Sequence, residues 1–278
     1  PINLAIFCGE NKTIVKTVVL KTKKQEFIFR DVRSHLQIPL VTYFREFSSP
    51  VDWESDTTLD EKFLILKYEK DFFTLSNTVK AIYKNIISCR LDEEPDYKIE
   101  NKLISALKSY IRNRDINLSL LSDLLSIPTF AEIESEMENI DPLKIYKTID
   151  ELNYLFGTKL KKELYFKLYE IEKNLDKLWP EGKHERRLIE TIWKLLLHSN
   201  DEEIKRKIIF YVDSNSMTLA KAALNSFSRI NCPERKTISN IFFNKWKNNS
   251  VVLDSWFSFN ATIVTDEKTS IIEKLFEN

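Results

Sequence analysis

Asp141-Pro142-Leu143-Lys144-Ile145-Tyr146-Lys147-Thr148-Ile149-Asp150-Glu151-Leu152-Asn153-Tyr154-Leu155-Phe156-Gly157 shows how most of the chain folds. The leading carboxylate suits an N-cap, where a side-chain oxygen takes up an otherwise unpaired helix N–H. Proline follows at the first helical position, where its missing N–H costs nothing. Ile145, Ile149, Leu152 and Phe156 then recur at spacings of three and four, which puts them on one helix face. Gly157 is expected to stop this helix, because glycine commonly sits just past a helix end.

The same periodicity runs outward in both directions. Upstream, from about Thr58, Phe72, Leu75, Val79, Ile82, Tyr83 and Ile86 share a face. So do Leu103, Leu107, Tyr110 and Ile111, and then Leu118, Leu121, Leu124 and Leu125. Downstream helices carry Leu164, Leu168 and Ile171; Leu188, Ile192 and Leu195; Ile204 and Ile208; Leu219 and Ala223; Ile238 and Phe242; and Ile271 and Leu275. Pro233 and the Asn248-Asn249 pair separate neighbours. About ten helices of roughly 10–18 residues with short loops suit a compact bundle or an α-solenoid of helix pairs. No strict repeat is visible, which loose solenoids often lack as well. The last amphipathic helix reaches Asn278 without the polar terminal cap of a solenoid, so truncation is expected there.

The first 55 or so residues read as strands. Ile2, Leu4 and Ile6 alternate with Asn3 and Ala5 at the period of a half-buried strand. Residues 14–20 are rich in β-branched side chains and follow turn material at Asn11–Thr13. Glu26-Phe27-Ile28-Phe29 reads as a third strand, and residues 38–44, with Pro39, as an edge strand or strand start. Four strands make a small sheet with an unpaired edge, so further partner strands are expected. Lys21, Lys23 and Lys24, followed by Glu26 and Asp31, read as a solvated strand edge.

Composition narrows the function classes. Of the 278 residues, 43% are hydrophobic and 30% charged, which suits a soluble globular protein rather than a disordered one. Forty-two basic side chains balance 42 acidic ones, with no basic stripe, so nucleic acid is not an expected partner. Gly9, Gly157 and Gly182 are the only glycines, too far apart for a dinucleotide turn or a phosphate loop. Cys8, Cys89 and Cys232 are odd in number and widely spaced, which indicates reduced thiols rather than a disulfide framework or a zinc knuckle. No apolar run approaches the roughly 18 residues of a membrane span. No signal peptide opens the chain. A cytoplasmic location with no membrane partner is the expectation, and a truncated start would hide any upstream targeting segment.

The sharpest imitation of a catalytic motif is His184-Glu185-Arg186-Arg187-Leu188. A zinc peptidase helix needs H-E-x-x-H, two histidines one turn apart with a glutamate to activate the metal-bound water. Leu188 cannot ligate zinc, Ile189 offers no ligand, and Glu190 sits off the face defined by His184. The segment reads as a polar helix start after Gly182. His35 falls in a loop, and His198 at a helix C-terminus, where a protonated imidazole favours the dipole. Neither Cys89 nor Cys232 has a base near it in sequence. Asp92-Glu93-Glu94-Pro95-Asp96 reads as a solvated acidic loop, with a weak cation site as the alternative. Trp53, Trp179, Trp193, Trp246 and Trp256 read as packing residues rather than stacking platforms. No catalytic, cofactor-binding or metal-ligating residue is assigned.

Several stretches, in order along the chain, resemble the aminopeptidase N family of zinc metallopeptidases. Glu26 to Val32 is similar to the strand that ends its small β-sandwich. Phe44-Arg45-Glu46-Phe47-Ser48-Ser49-Pro50-Val51 resembles its R-E-F-S-A-P-V exit, with Ser49 in place of alanine. Ser126-Ile127-Pro128 and Ile140-Asp141-Pro142 resemble two helix junctions of its C-terminal domain, and Asn215-Ser216-Met217-Thr218 its N-M-T turn. Trp246 to Phe257 resembles its W…L-V-M-D-K-W-F segment, with Leu253 for methionine and Ser255 for lysine.

The resemblance implies a mainly α chain: part of a small immunoglobulin-like β-sandwich over residues 1–56, then an α-helical superhelical (ARM/HEAT-like) domain over 57–278, truncated. It implies a parent enzyme that removes N-terminal residues from peptides with water activated by zinc. The family's G-A-M-E-N loop, H-E-x-x-H helix, third zinc-ligand glutamate, catalytic tyrosine and N-P-N-R stretch have no counterpart here, so no site residue carries over. The cofactor expectation is zinc in the parent and none in this chain. The partners are the rest of the parent chain and, through it, peptide substrates. The role left to this chain is to cover the active site and restrict access to peptides. A stand-alone α-solenoid scaffold that binds another protein is the alternative.

Overall fold

The computed structural model describes residues 1–8, 13–30, 32, 39–51, 53–135, 137, 140–175, 177, 180–262 and 268–276. Features expected at Gly9, residues 11–12, Asp31, His35, Ile38 and Trp179 lie outside the described residues. Two compact units emerge: Pro1–Ala106 with Pro128–Ile140, and Leu107–Ile127 with Asp141–Asn278.

In the first unit, β1 (Ile2–Phe7) is the middle strand of an antiparallel sheet of order β2-β1-β3, with β2 at Thr13–Val18 and β3 at Leu40–Thr42. Ile6 lies opposite Ile14 on one side and Val41 on the other. Because side chains alternate along a strand, β1 feeds two clusters. Ala5 and Phe7 pack with Leu40 and Ile65, while Leu4, Ile6 and Cys8 pack with Ile14, Val18, Val32, Val41 and Tyr43. Two expectations are corrected. Glu26–Phe29 forms no strand: no described strand pairs with it, and Ile28 is 70% exposed. The β2 strand ends at Val18, so Lys21, Lys23 and Lys24 occupy an exposed turn, where the Lys21 N–H donates to Gln25 Oε1 at 2.8 Å.

Helices follow. α1 (Leu59–Tyr68) starts at a capping box between Thr58 and Glu61. α2 (Phe72–Leu91) starts at Asp71, whose carboxylate accepts the Thr74 N–H. α3 spans Tyr97–Arg112, α4 spans Leu118–Leu125, and α5 spans Phe130–Glu134. Five residues are too few to show a period, so α5 escapes sequence reading, although its Thr129–Glu132 capping box is present.

The second unit holds α4 together with α6 (Pro142–Lys159), α7 (Lys161–Glu172), α8 (Lys183–His198), α9 (Glu202–Val212), α10 (Met217–Ser226), α11 (Arg235–Trp246), α12 (Ser250–Ala261) and α13 (Lys268–Phe276). α4 packs on α8, and from α6 onward contacts run to the next helix and to the next but one: α6 meets α7 and α8, α8 meets α9 and α10, α10 meets α11 and α12, and α9 meets α11. That order is the signature of stacked helix pairs rather than of a closed bundle. Trp193 of α8 is fully buried, with its ring centroid 5.1 Å from that of Tyr211 on α9.

Asp141 caps α6 as expected, accepting the Lys144 N–H at 3.1 Å. Gly157 does not stop that helix, which continues to Lys159. The glycine serves a close approach instead. A Cβ there would lie 2.0 Å from the Leu195 carbonyl oxygen of α8.

Buried cations secure the helix junctions of this unit. Arg186 donates to the Leu175, Lys177 and Glu181 carbonyls, Arg235 to Phe227, Ser228 and Phe259, and Lys167 to Asn113. Carbonyls at helix C-termini lack intrahelical partners and carry partial negative charge, so a cation both caps and neutralises them. Burial pulls the Arg235 guanidinium down to about 10. Among the described residues no helix is long and apolar enough to cross a membrane.

Candidate functional site

The first unit concentrates its polar chemistry where β3 meets the α1–α2 corner. Glu69 follows α1, and its side chain is fully buried. Thr42 Oγ1 donates to Glu69 Oε2 at 2.8 Å, and Arg45 Nη2 to Oε1 at 3.0 Å. The Lys70 and Asp71 N–H groups donate to the same Oε1 at 2.7 and 2.9 Å. Asp71 in turn accepts the Glu46 N–H at 3.0 Å. These bonds hold a backbone that few sequences tolerate: Phe44, Glu46 and Phe47 all have left-handed φ, between 52° and 56°. Asn3 N–H to Ser48 Oγ and Ser49 Oγ to the Pro1 carbonyl tie the same turn to β1. The Arg45-Glu46-Phe47-Ser48 motif is thus a buckle between the sheet and the α1–α2 corner.

Beside the buckle lies a cleft of about 520 Å3 lined by Tyr43, Phe44, Trp53, Glu54, Asp56 and Glu61, among others. A second space of about 230 Å3 shares Tyr43, Trp53 and Thr57 with the first and is also lined by Lys62, Ile65, Thr74, Asn77 and Thr78. Trp53 packs against Tyr43 and Phe44 and is 40% exposed.

In the second unit a polar seam crosses α6, α8 and α10. Glu190, Lys194 and His198 recur every fourth residue of α8 and therefore share a face. Arg229 grips Asp150 of α6 with two bonds, at 3.1 and 2.7 Å, and stacks 4.1 Å over the Tyr146 ring. His198 Nε2 lies 3.6 Å from the same carboxylate, and its Nδ1 donates to the Lys194 carbonyl at 2.8 Å. Asn225 of α10 reaches Glu190. Burial pushes the Glu190 carboxyl up and the Lys194 ammonium down. Burial also pushes Asp150 up, but His198 and Arg229 outweigh it and hold the carboxyl below its ordinary 3.8.

A depressed folded-state value means that Asp150 stabilises the fold above its unfolded value and loses that contribution as pH falls through the folded one. Asp150→Asn is expected to cost about 1 kcal/mol at neutral pH, kept small by solvent screening. The cost should shrink as pH falls below the ordinary 3.8 and vanish only below the depressed folded-state value. Urea unfolding of both proteins across pH 2–7 checks this. A constant difference between them would contradict it.

Within the seam, Asp150 is paired by Arg229 and approached by His198, and Glu190 by Asn225. His184 and His198 stand at the two ends of α8 and do not converge. His184 Nδ1 meets Ser119 Oγ at 2.6 Å, Glu185 accepts from Asn174, and Leu188 is fully buried. Burial, followed by neighbouring acids, pushes both the Cys89 and Cys232 thiols up, away from the reactive thiolate. Asp96 of the acidic loop accepts the Lys98 and Ile99 N–H groups at the start of α3. Among the described residues no three His, Cys, Asp or Glu side chains gather as a metal site. Sequence reading missed the pairs Glu69–Arg45 and Asp150–Arg229, which join residues 24 and 79 positions apart. The fourfold spacing of Glu190, Lys194 and His198 was the one visible signal.

Residues 59–278, from the first residue of α1 onward, match the family described as "Domain of unknown function (DUF3458_C) ARM repeats". Aminopeptidase N of Escherichia coli K12 is 23% identical over 94% of the chain, and that of Haemophilus influenzae Rd is 21% identical over 96%. The chain spans 31% of the length of each. The crystal structure of Legionella pneumophila aminopeptidase A in complex with aspartic acid superposes on the whole chain with a TM-score of 0.82 at 20% identity. The superposition takes in 34% of that chain. The resemblance and the mainly α, ARM-like fold expected from sequence are both borne out.

Proposed function

The chain belongs to this ARM-repeat family, and from that membership we propose that it is the non-catalytic C-terminal portion of a zinc-dependent aminopeptidase. One observation carries the reading: nearly all of the chain aligns with aminopeptidases, yet it accounts for only 31% of their length. In the parent, zinc held by residues outside this chain would supply an activated water for cleavage of the first peptide bond of short peptides, in a cytoplasmic enzyme. This chain supplies the helical cover that limits access to that centre. Residues 1–56 complete the parent's small sandwich, and residues 57–278 belong to its helical domain.

The described residues do not fit zinc. His184 faces Ser119 rather than a second ligand, and Leu188 occupies the position where a second histidine would stand. The metal would be held by the remainder of the parent. The purified chain is expected to carry far less than one zinc and to release no product from aminoacyl-p-nitroanilides. Elemental analysis and a chromogenic assay check both points. Chelator-sensitive turnover would sink the reading.

A further inference from the structure

The cleft beside Trp53 has features that the aminopeptidase reading does not use. Its floor is aromatic and held in place: the Trp53 ring lies 5.7 Å from Tyr43, edge-on at 61°, and 5.3 Å from Phe44. Its rim is acidic. Glu54, Asp56 and Glu61 line it, and no described lysine or arginine does. Among the described residues neither Glu54 nor Asp56 has a cationic partner.

We propose that this cleft binds the arginine side chain of an extended peptide segment. A guanidinium stacks on an indole face through the ring quadrupole, and its planar fork matches carboxylates. An anion would meet three carboxylates and is repelled. The adjoining smaller space, which shares Tyr43 and Trp53, sets the neighbouring preference. Lys62 lines it and donates to the Thr57 carbonyl at 2.6 Å, so a second cation is disfavoured there and a small neutral residue is accepted. The proposal stands independently of peptide hydrolysis.

Calorimetric titration of the whole chain with acetyl-Ala-Arg-Ala-amide tests it, with norleucine and glutamate analogues alongside. The expected result is saturable one-to-one binding that weakens at high salt, at least tenfold weaker for norleucine and absent for glutamate. Trp53→Ala and the double change Glu54→Gln/Asp56→Asn should each weaken binding at least tenfold. Circular dichroism and melting temperature should not change in the carboxylate variant, whose two side chains are exposed. Trp53→Ala also loses packing on Tyr43 and Phe44 and is therefore read beside Trp53→Phe. Trp53→Phe keeps a stacking ring and should retain most of the affinity. No saturable binding, equal affinity for norleucine, or indifference to both variants would overturn the proposal.

Discussion

Glu69→Ala is expected to destabilise the first unit by about 3–5 kcal/mol, the range for breaking a buried ion pair by removing one partner. The substitution takes away the acceptor for Thr42, for Arg45 and for two backbone N–H groups together. It also strands a largely buried guanidinium whose Nε already lacks a partner. The left-handed turn at residues 44–47 then loses what holds it, and its strain favours release. Hydrogen exchange resolved to peptides should show the amides of residues 40–75 exchanging roughly 100-fold faster or more, since about 1.4 kcal/mol is a factor of ten. Glu69→Gln keeps one carbonyl acceptor and should fall between wild type and alanine. Unchanged exchange in Glu69→Ala would show that the buckle is decorative.

Gly157→Ala should destabilise the second unit by about 3 kcal/mol, at the upper end for overpacking. Helix propensity alone has the opposite sign, since alanine is favoured over glycine by about 1 kcal/mol in a helix interior. The added methyl carbon would sit 2.0 Å from the Leu195 carbonyl oxygen and 2.9 Å from its carbon, both backbone atoms that cannot turn aside. The α6 and α8 helices must therefore part, and the apolar faces centred on Leu152 and Ile192 loosen with them. Urea denaturation decides the sign. A more stable alanine variant would show that the close approach carries no cost.

These two residues mark what could be read from the sequence. Helix faces such as Ile145, Ile149, Leu152 and Phe156 were legible because burial of one stripe imposes a period on the chain itself. The cap at Asp141 was legible because a cap acts within three residues. The end of α6 was misread, because Gly157 answers to a carbonyl 38 positions away and local rules treat it as a terminator. Glu26–Phe29 was misread because apolar residues alone do not make a strand without a partner ladder. Glu69 and Arg45, and Asp150 and Arg229, find each other only through the fold. The family resemblance was legible in short stretches, one of which proves to be the buckle: Arg45 and Ser48 are the residues that fasten the sheet to its neighbours.

The central claim, that this chain is part of a larger peptidase, is tested most directly by reading the coding frame upstream of Pro1 in the source genome. The expected result is an open frame encoding H-E-x-x-H followed by a downstream glutamate ligand. An in-frame stop with a start codon immediately before Pro1 would contradict it and leave a solenoid that acts without a catalytic domain.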